Sequence, residues 1–238
     1  MITAVNEPSA LVDRIERVRA RMRDAARRAN RAVDEITLIA VSKTHPVESI
    51  QVAVSCGLAE FGENRVQEAE QKIPIVGREA ARWHLIGHLQ SNKARRAVEL
   101  FDVIHSIDSA ALALRLNRIC EEGGRESLPV LIQVDLGQEV TKSGVDEDSV
   151  RAIVAAVREC SRLQLNGLMT LPPFFAEVEL VRPYFRRLRE LRDQLYAEGV
   201  FANQRGELSM GMTHDFEVAI EEGATMIRVG TAIFGERE

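Results

Sequence analysis

The chain has 238 residues, 45% of them hydrophobic and 28% charged, with 31 basic against 36 acidic side chains. That composition suits one large globular domain or two small ones, long enough to bury a core without disulfides or a structural metal. The acidic balance argues against a protein that works by neutralising nucleic-acid phosphates, and no apolar run approaches the roughly 20 residues that span a bilayer.

The N-terminal MITAVNEPSA lacks the basic and apolar regions of a secretory signal. From about Ser9 to Asn30, Leu11, Ile15, Val18, Met22 and Ala29 recur on one helical face. The other face carries Arg14, Arg17, Arg19, Arg21, Arg23, Arg27 and Arg28, with Arg31 following; residues 1–31 hold eight arginines and four carboxylates. Such a run reads as the solvated face of a docked helix, with an acidic partner as the alternative.

Strands are predicted at 36–43 (ITLIAVSK), 59–64 (AEFGEN), 83–87 (WHLIG), 102–108 (DVIHSID), 129–135 (PVLIQVD), 163–170 (LQLNGLMT), 207–211 (ELSMG) and 226–230 (MIRVG). Amphipathic stretches separate them, several closing on a glycine: Gly57, Gly123 and Gly199. Alternation of this kind means parallel strands with crossover helices. Eight units predict an α/β chain folded as a single (β/α)8 TIM barrel preceded by an N-terminal helix. The helix is expected over 1–31, packed on a barrel over 32–238. An open doubly wound sheet would carry a G-x-G-x-x-G turn after its first strand, and that turn is missing. Cys56, Cys120 and Cys160 are widely spaced, the pattern of reduced intracellular thiols. A soluble cytoplasmic monomer without membrane, nucleic-acid or metal partners is therefore expected.

Barrel chemistry gathers at the C-terminal ends of the strands, with phosphate sites after strands seven and eight. Strand one ends in Lys43, on the same face as Thr37, Ile39 and Val41. It either leaves the rim for water or is a desolvated amine, nucleophilic toward an aldehyde. Strand eight places Met226, Arg228 and Gly230 on one face, so Arg228 points into the barrel, as a ligand group or as half of a buried ion pair. The turns Ser209-Met210-Gly211-Met212-Thr213 and Gly230-Thr231 suit an oxyanion. An aldehyde that also bears a phosphate and a ring nitrogen, as pyridoxal 5′-phosphate does, meets all three demands.

The blocks AVSKTHP, FGENRVQEAEQK, WHLIGHLQSNK, TKSG, GLMT and LSMGMTHDFEVAIEEGATMIRVGTAIFG, spanning roughly residues 36–235, resemble the pyridoxal phosphate homeostasis protein family. The resemblance implies a (β/α)8 barrel related to the N-terminal domain of alanine racemase. It implies a cofactor held as a Schiff base on Lys43, its pyridine nitrogen facing Arg228. It further implies a phosphate cradle of Ser209, Met210, Gly211, Gly230 and Thr231, with Asn64 near the cofactor. Either His84 or His88 is read as lining the mouth, His105 as core, and His45 and His214 as solvated. Lys142 reads as a solvated loop amine, with a second amine able to receive the aldehyde by transimination as the alternative, and LPPFFAEVEL receives no role.

The resemblance implies buffering or delivery of pyridoxal phosphate inside the cell, with apo forms of pyridoxal-phosphate enzymes as acceptors. The alternative is a weak amino-acid racemase or related enzyme. Two features weigh against turnover. An arginine keeps the pyridine nitrogen unprotonated and weakens the ring as an electron sink. A second acid/base is missing, because the tyrosines, Tyr184 and Tyr196, fall in the helix after strand six.

Overall fold

The computed structural model describes residues 8–137, 143–201 and 204–236. Its elements run α1 (Pro8–Arg28), β1 (Thr37–Val41), α2 (Val47–Ser55), β2 (Glu60–Glu63), α3 (Val66–Val76), β3 (Arg82–Leu85), α4 (Ala94–Leu100), β4 (Val103–Ile107) and α5 (Ala110–Glu122). They continue β5 (Leu128–Val134), α6 (Val150–Arg158), β6 (Leu163–Thr170), α7 (Arg182–Ala197), β7 (Glu207–Ser209), α8 (Phe216–Glu221), β8 (Met226–Val229) and α9 (Thr231–Phe234). All eight strands pair in parallel with their chain neighbours, and β1 closes on β8 through Thr37–Met226 to Ala40–Val229. The (β/α)8 barrel expected from the alternation of strands and helices is what the chain forms. No helix among the described residues is long and apolar enough to cross a membrane.

Strand alternation sorts the core into two. Ile39, Val103, Leu131, Met169 and Met226 form a small separate cluster; Val103, Leu131 and Met226 stand two residues before His105, Gln133 and Arg228 and so share the inward face with those polar side chains. The other strand face, with Leu38, Ala40, Ile104, Ile132 and Ile227, joins the large core beneath the surrounding helices. These apolar side chains fill part of the lower lumen, while polar side chains line the half toward the C-terminal strand ends and continue through His105 and His84 to Glu60.

Helix α1 buries Leu11, Ile15, Val18, Met22, Ala25 and Ala26 in that outer core. Its arginine face is more than a solvated surface. Arg14 Nε donates to Ile233 O at 2.7 Å, Arg19 Nη2 to Cys56 O at 3.2 Å, and Arg31 Nη1 to Ile220 O at 2.9 Å and Ala224 O at 2.8 Å. These carbonyls lie at or just beyond the C-terminal ends of α9, α2 and α8, where cations are favourably placed. Arg21 pairs with Glu217 at 2.6 Å and lies over the Phe216 ring, while Arg17 and Arg23 remain exposed. The arginines fasten the helix across the β8–β1 closure of the barrel.

Ile15 is 1% exposed and Val12 on the same helix is 39% exposed. Ile15→Ala is expected to lower stability by about 2–5 kcal/mol through lost burial and the cavity left behind. Val12→Ala should stay within about 0.5 kcal/mol of the parent. Chemical denaturation of the two variants side by side measures both.

Candidate functional site

The strand ends surround a cavity of about 570 Å³, within the range of small-molecule sites, lined among others by Lys43, Asn64, Arg228, Gly230 and Thr231. Five of the eight residues singled out from sequence therefore meet at one opening. The other three lie beneath it. Ser209 turns its hydroxyl under Arg228, Met210 packs in the outer core, and Gly211 closes the turn against α8, where a Cβ would stand 2.6 Å from that of Ala219. The wall at this point is made by the next two residues, Met212 and Thr213. Strand β7 is only three residues long and ends at Ser209, so the chain reaches the rim later than expected.

Lys43 follows β1 by two residues, on a turn that is held from behind. Thr44 has φ +65°, the left-handed region that a β-branched residue avoids. Its N–H donates to Glu68 Oε2 at 2.9 Å. On the other side of Lys43, Ser42 Oγ donates to Glu63 Oε1 at 2.7 Å, and Lys72 Nζ donates to Ser42 O and to Glu63 Oε1, both at 2.8 Å. Burial raises the Glu63 carboxyl above the usual carboxylate range, with Lys72 and Ser42 pulling the other way. This cluster, drawn from FGENRVQEAEQK, fixes the backbone on both sides of Lys43. Only its carboxylate-rich spacing was visible in the sequence.

Across the opening, Arg228 is 2% exposed. Its Nη1 donates to Ser209 Oγ at 2.6 Å and its Nη2 to Thr170 O at 2.8 Å. Burial pulls the guanidinium down to about 10, and the charge of Asp215 opposes that shift. Asp215 is itself buried, which raises its carboxyl, and its Oδ1 accepts from Met212 N at 2.6 Å, bracing the turn that carries Met212 and Thr213. Asn64 belongs to the wall through a tight crossing: a Cβ on Gly87 would stand 2.2 Å from Asn64 O, so the ends of β2 and β3 approach only because residue 87 is glycine.

Of the two histidines flanking Gly87, one lines the mouth, as expected. His88 lines the cavity, its Nδ1 3.1 Å from Asp108 Oδ2, whereas His84 is buried inside the barrel and bonded to His105. His105 is buried in the core, as read, and is hydrogen-bonded there. His214 lines the mouth, its Nε2 3.1 Å from Phe175 O and its ring against Phe174, and His45 stacks on Phe234 at 5.0 Å, so neither is merely solvated. Leu171 and Pro172, from the stretch given no role, also line the cavity. Tyr196 is exposed, and Tyr184 borders a separate hollow with Asp135 and Leu136. Lys142 lies outside the described residues.

The family described as "Alanine racemase, N-terminal domain" matches residues 14–238. The pyridoxal phosphate homeostasis protein of Aquifex aeolicus is 43% identical over 226 residues, 95% of this chain and 98% of its own. That of Escherichia coli strain K12 is 42% identical over 229 residues, 94% of this chain and 95% of its own. PipY of Synechococcus elongatus, solved with pyridoxal phosphate bound, superposes with a TM-score of 0.82 at 39% identity, covering 94% of this chain and all of that one. Alanine racemase of Corynebacterium glutamicum shares the fold at 21% identity and a TM-score of 0.67, this chain spanning 61% of it.

Lys72→Met would leave Glu63 as a buried charge without its cation and is expected to cost about 3–5 kcal/mol. Replacing both as Lys72→Met/Glu63→Gln should recover most of that loss, so a double-mutant cycle read by urea denaturation separates the pair from its packing.

Proposed function

Because the chain belongs to the pyridoxal phosphate homeostasis protein family, we propose that its strand-end cavity holds pyridoxal 5′-phosphate reversibly and serves its homeostasis by storage or hand-over, without turnover. The observation that carries this reading is the meeting of a lysine, a buried guanidinium and the Gly230–Thr231 turn around one cavity of about 570 Å³. The groups fit the cofactor's three functions, and its chemistry when bound is that of an aldehyde able to condense with a primary amine. The chain contains four lysines. Lys72 is committed to Glu63, and Lys43 is the lysine that lines the cavity among the described residues. In this reading Lys43 would hold the cofactor through its aldehyde, Arg228 would serve its pyridine nitrogen, Asn64 would flank the ring, and Thr231, Gly230 and Thr213 would receive the phosphate. Ser209 supports Arg228 from below and does not touch the phosphate.

Reversible holding is supported by the mouth itself, where His88, Met212, His214 and Thr231 are exposed, leaving incoming amines a route. An acceptor such as an apo pyridoxal-phosphate enzyme would draw the cofactor through this opening. A racemase needs an acid/base on each face of its substrate. Neither Tyr184 nor Tyr196 lines the cavity, which supports the reading without turnover.

Titrating the protein with pyridoxal phosphate should develop the absorbance band of a protonated imine, about 420 nm and distinct from that of the free aldehyde, and Lys43→Ala should abolish that band while noncovalent binding persists. Arg228→Ala is expected to weaken binding by about 1.5–3 kcal/mol, the range of a hydrogen bond from a charged donor. Retention of the absorbance by Lys43→Ala would remove the assignment of Lys43. A kcat within the enzymatic range of about 1–10³ s⁻¹ on any common amino acid would remove the reading without turnover.

A further inference from the structure

A continuous chain of side chains crosses the barrel from Arg228 to the N-terminal rim. Arg228 Nη1 donates to Ser209 Oγ at 2.6 Å, and Ser209 Oγ lies 2.9 Å from His105 Nδ1. His105 Nε2 lies 2.8 Å from His84 Nδ1, and His84 Nε2 lies 2.5 Å from Glu60 Oε2. Ser209, His105 and His84 are fully buried. Glu60, the first residue of β2, keeps a quarter of its side chain exposed on the face opposite the cavity.

The two ends of this chain have fixed polarity. A guanidinium only donates hydrogen bonds and an ionised carboxylate only accepts them. Ser209 receives from Arg228 and gives its own proton to His105 Nδ1. His105 then carries its proton on Nε2 and gives it to His84 Nδ1; His84 carries its proton on Nε2 and gives it to Glu60. One tautomer of each ring satisfies all four bonds. Burial first, then the neighbouring His84, Arg228 and Arg82, holds His105 well below the usual histidine range, which agrees with a neutral ring. Aligned bonds in a low-dielectric interior also polarise one another in a single direction.

We propose that Glu60 is a positioning residue for Arg228. Acting through His84, His105 and Ser209, its carboxylate sets the direction of the whole chain and so fixes the guanidinium beside the cavity. The inference rests on reading Arg228 as a contact of the cofactor. An amide at position 60 both donates and accepts, so it no longer selects a direction. In the reversed chain His105 donates to Ser209 Oγ, which then accepts from two donors beside the guanidinium and leaves its own O–H without His105 as acceptor.

The test is ¹⁵N NMR of the cofactor-free protein, wild type and Glu60→Gln, with thermal melting and a pyridoxal phosphate titration on the same samples. Wild type should show both rings neutral with the proton on Nε2. Glu60→Gln should show mixed tautomers and bind pyridoxal phosphate about 3- to 30-fold more weakly. A Glu60→Gln protein that melts lower but keeps wild-type tautomers and affinity would reduce Glu60 to a structural residue and overturn the proposal. A wild-type ring protonated on Nδ1 would overturn it without any variant. If wild type does not bind pyridoxal phosphate, the functional reading fails separately, and the tautomers still decide whether Glu60 directs the chain.

Discussion

Burying one guanidinium at the centre of a barrel is the constraint to which the site answers. A charge at that depth is tolerated only if its hydrogen bonds are taken up, and Arg228 is served by Ser209 from the neighbouring strand and by the Thr170 carbonyl at the end of β6. Those partners occupy the tier just above Met226, Met169 and Leu131, which fill the lumen below beside the chain from His105 through His84 to Glu60.

The rim follows from the same geometry. Each strand delivers its last inward residue to a common height, so Lys43 after β1, Asn64 after β2, Gly87 after β3 and Gly230 after β8 face one opening although they are far apart in the chain. Two local constraints lie at that rim. Thr44 is held in the left-handed region by Glu68, and the contact between Gly87 and Asn64 leaves no room for a Cβ. The ion pair of Lys72 with Glu63 braces the Lys43 turn from outside the cavity.

Much of this was legible in the residues themselves. Eight β-branched runs separated by amphipathic stretches specify eight parallel strands, and the parity of MIRVG turns Arg228 inward. Strand ends differ from the expected ones by a residue or two, because hydrogen bonding stops before the apolar pattern does: Lys43 continues the alternation of β1 but stands beyond it. Ser209, Met210 and Gly211 were read one step too high because a three-residue strand offers too little alternation to set its end. The roles of Met212, Thr213, Leu171 and Pro172 depend on how two loops fold over the rim, which no periodicity reports. The arginines of α1 looked solvated because their acceptors are backbone carbonyls about 200 residues away in sequence, at Ile220, Ala224 and Ile233. His84 and His105 did leave a signal, since each is a polar residue at an inward strand position, but the bond between them exists only once β3 and β4 lie side by side.

The central claim is that one amine, placed by β1 opposite Arg228, holds the cofactor. With only four lysines in the chain, borohydride reduction of the protein mixed with pyridoxal phosphate, followed by mass mapping of the peptides, assigns the linkage without ambiguity. The account predicts one modified site, Lys43, at close to one equivalent. A phosphopyridoxyl group found principally on Lys93 or Lys142, with Lys43 unmodified, would contradict it.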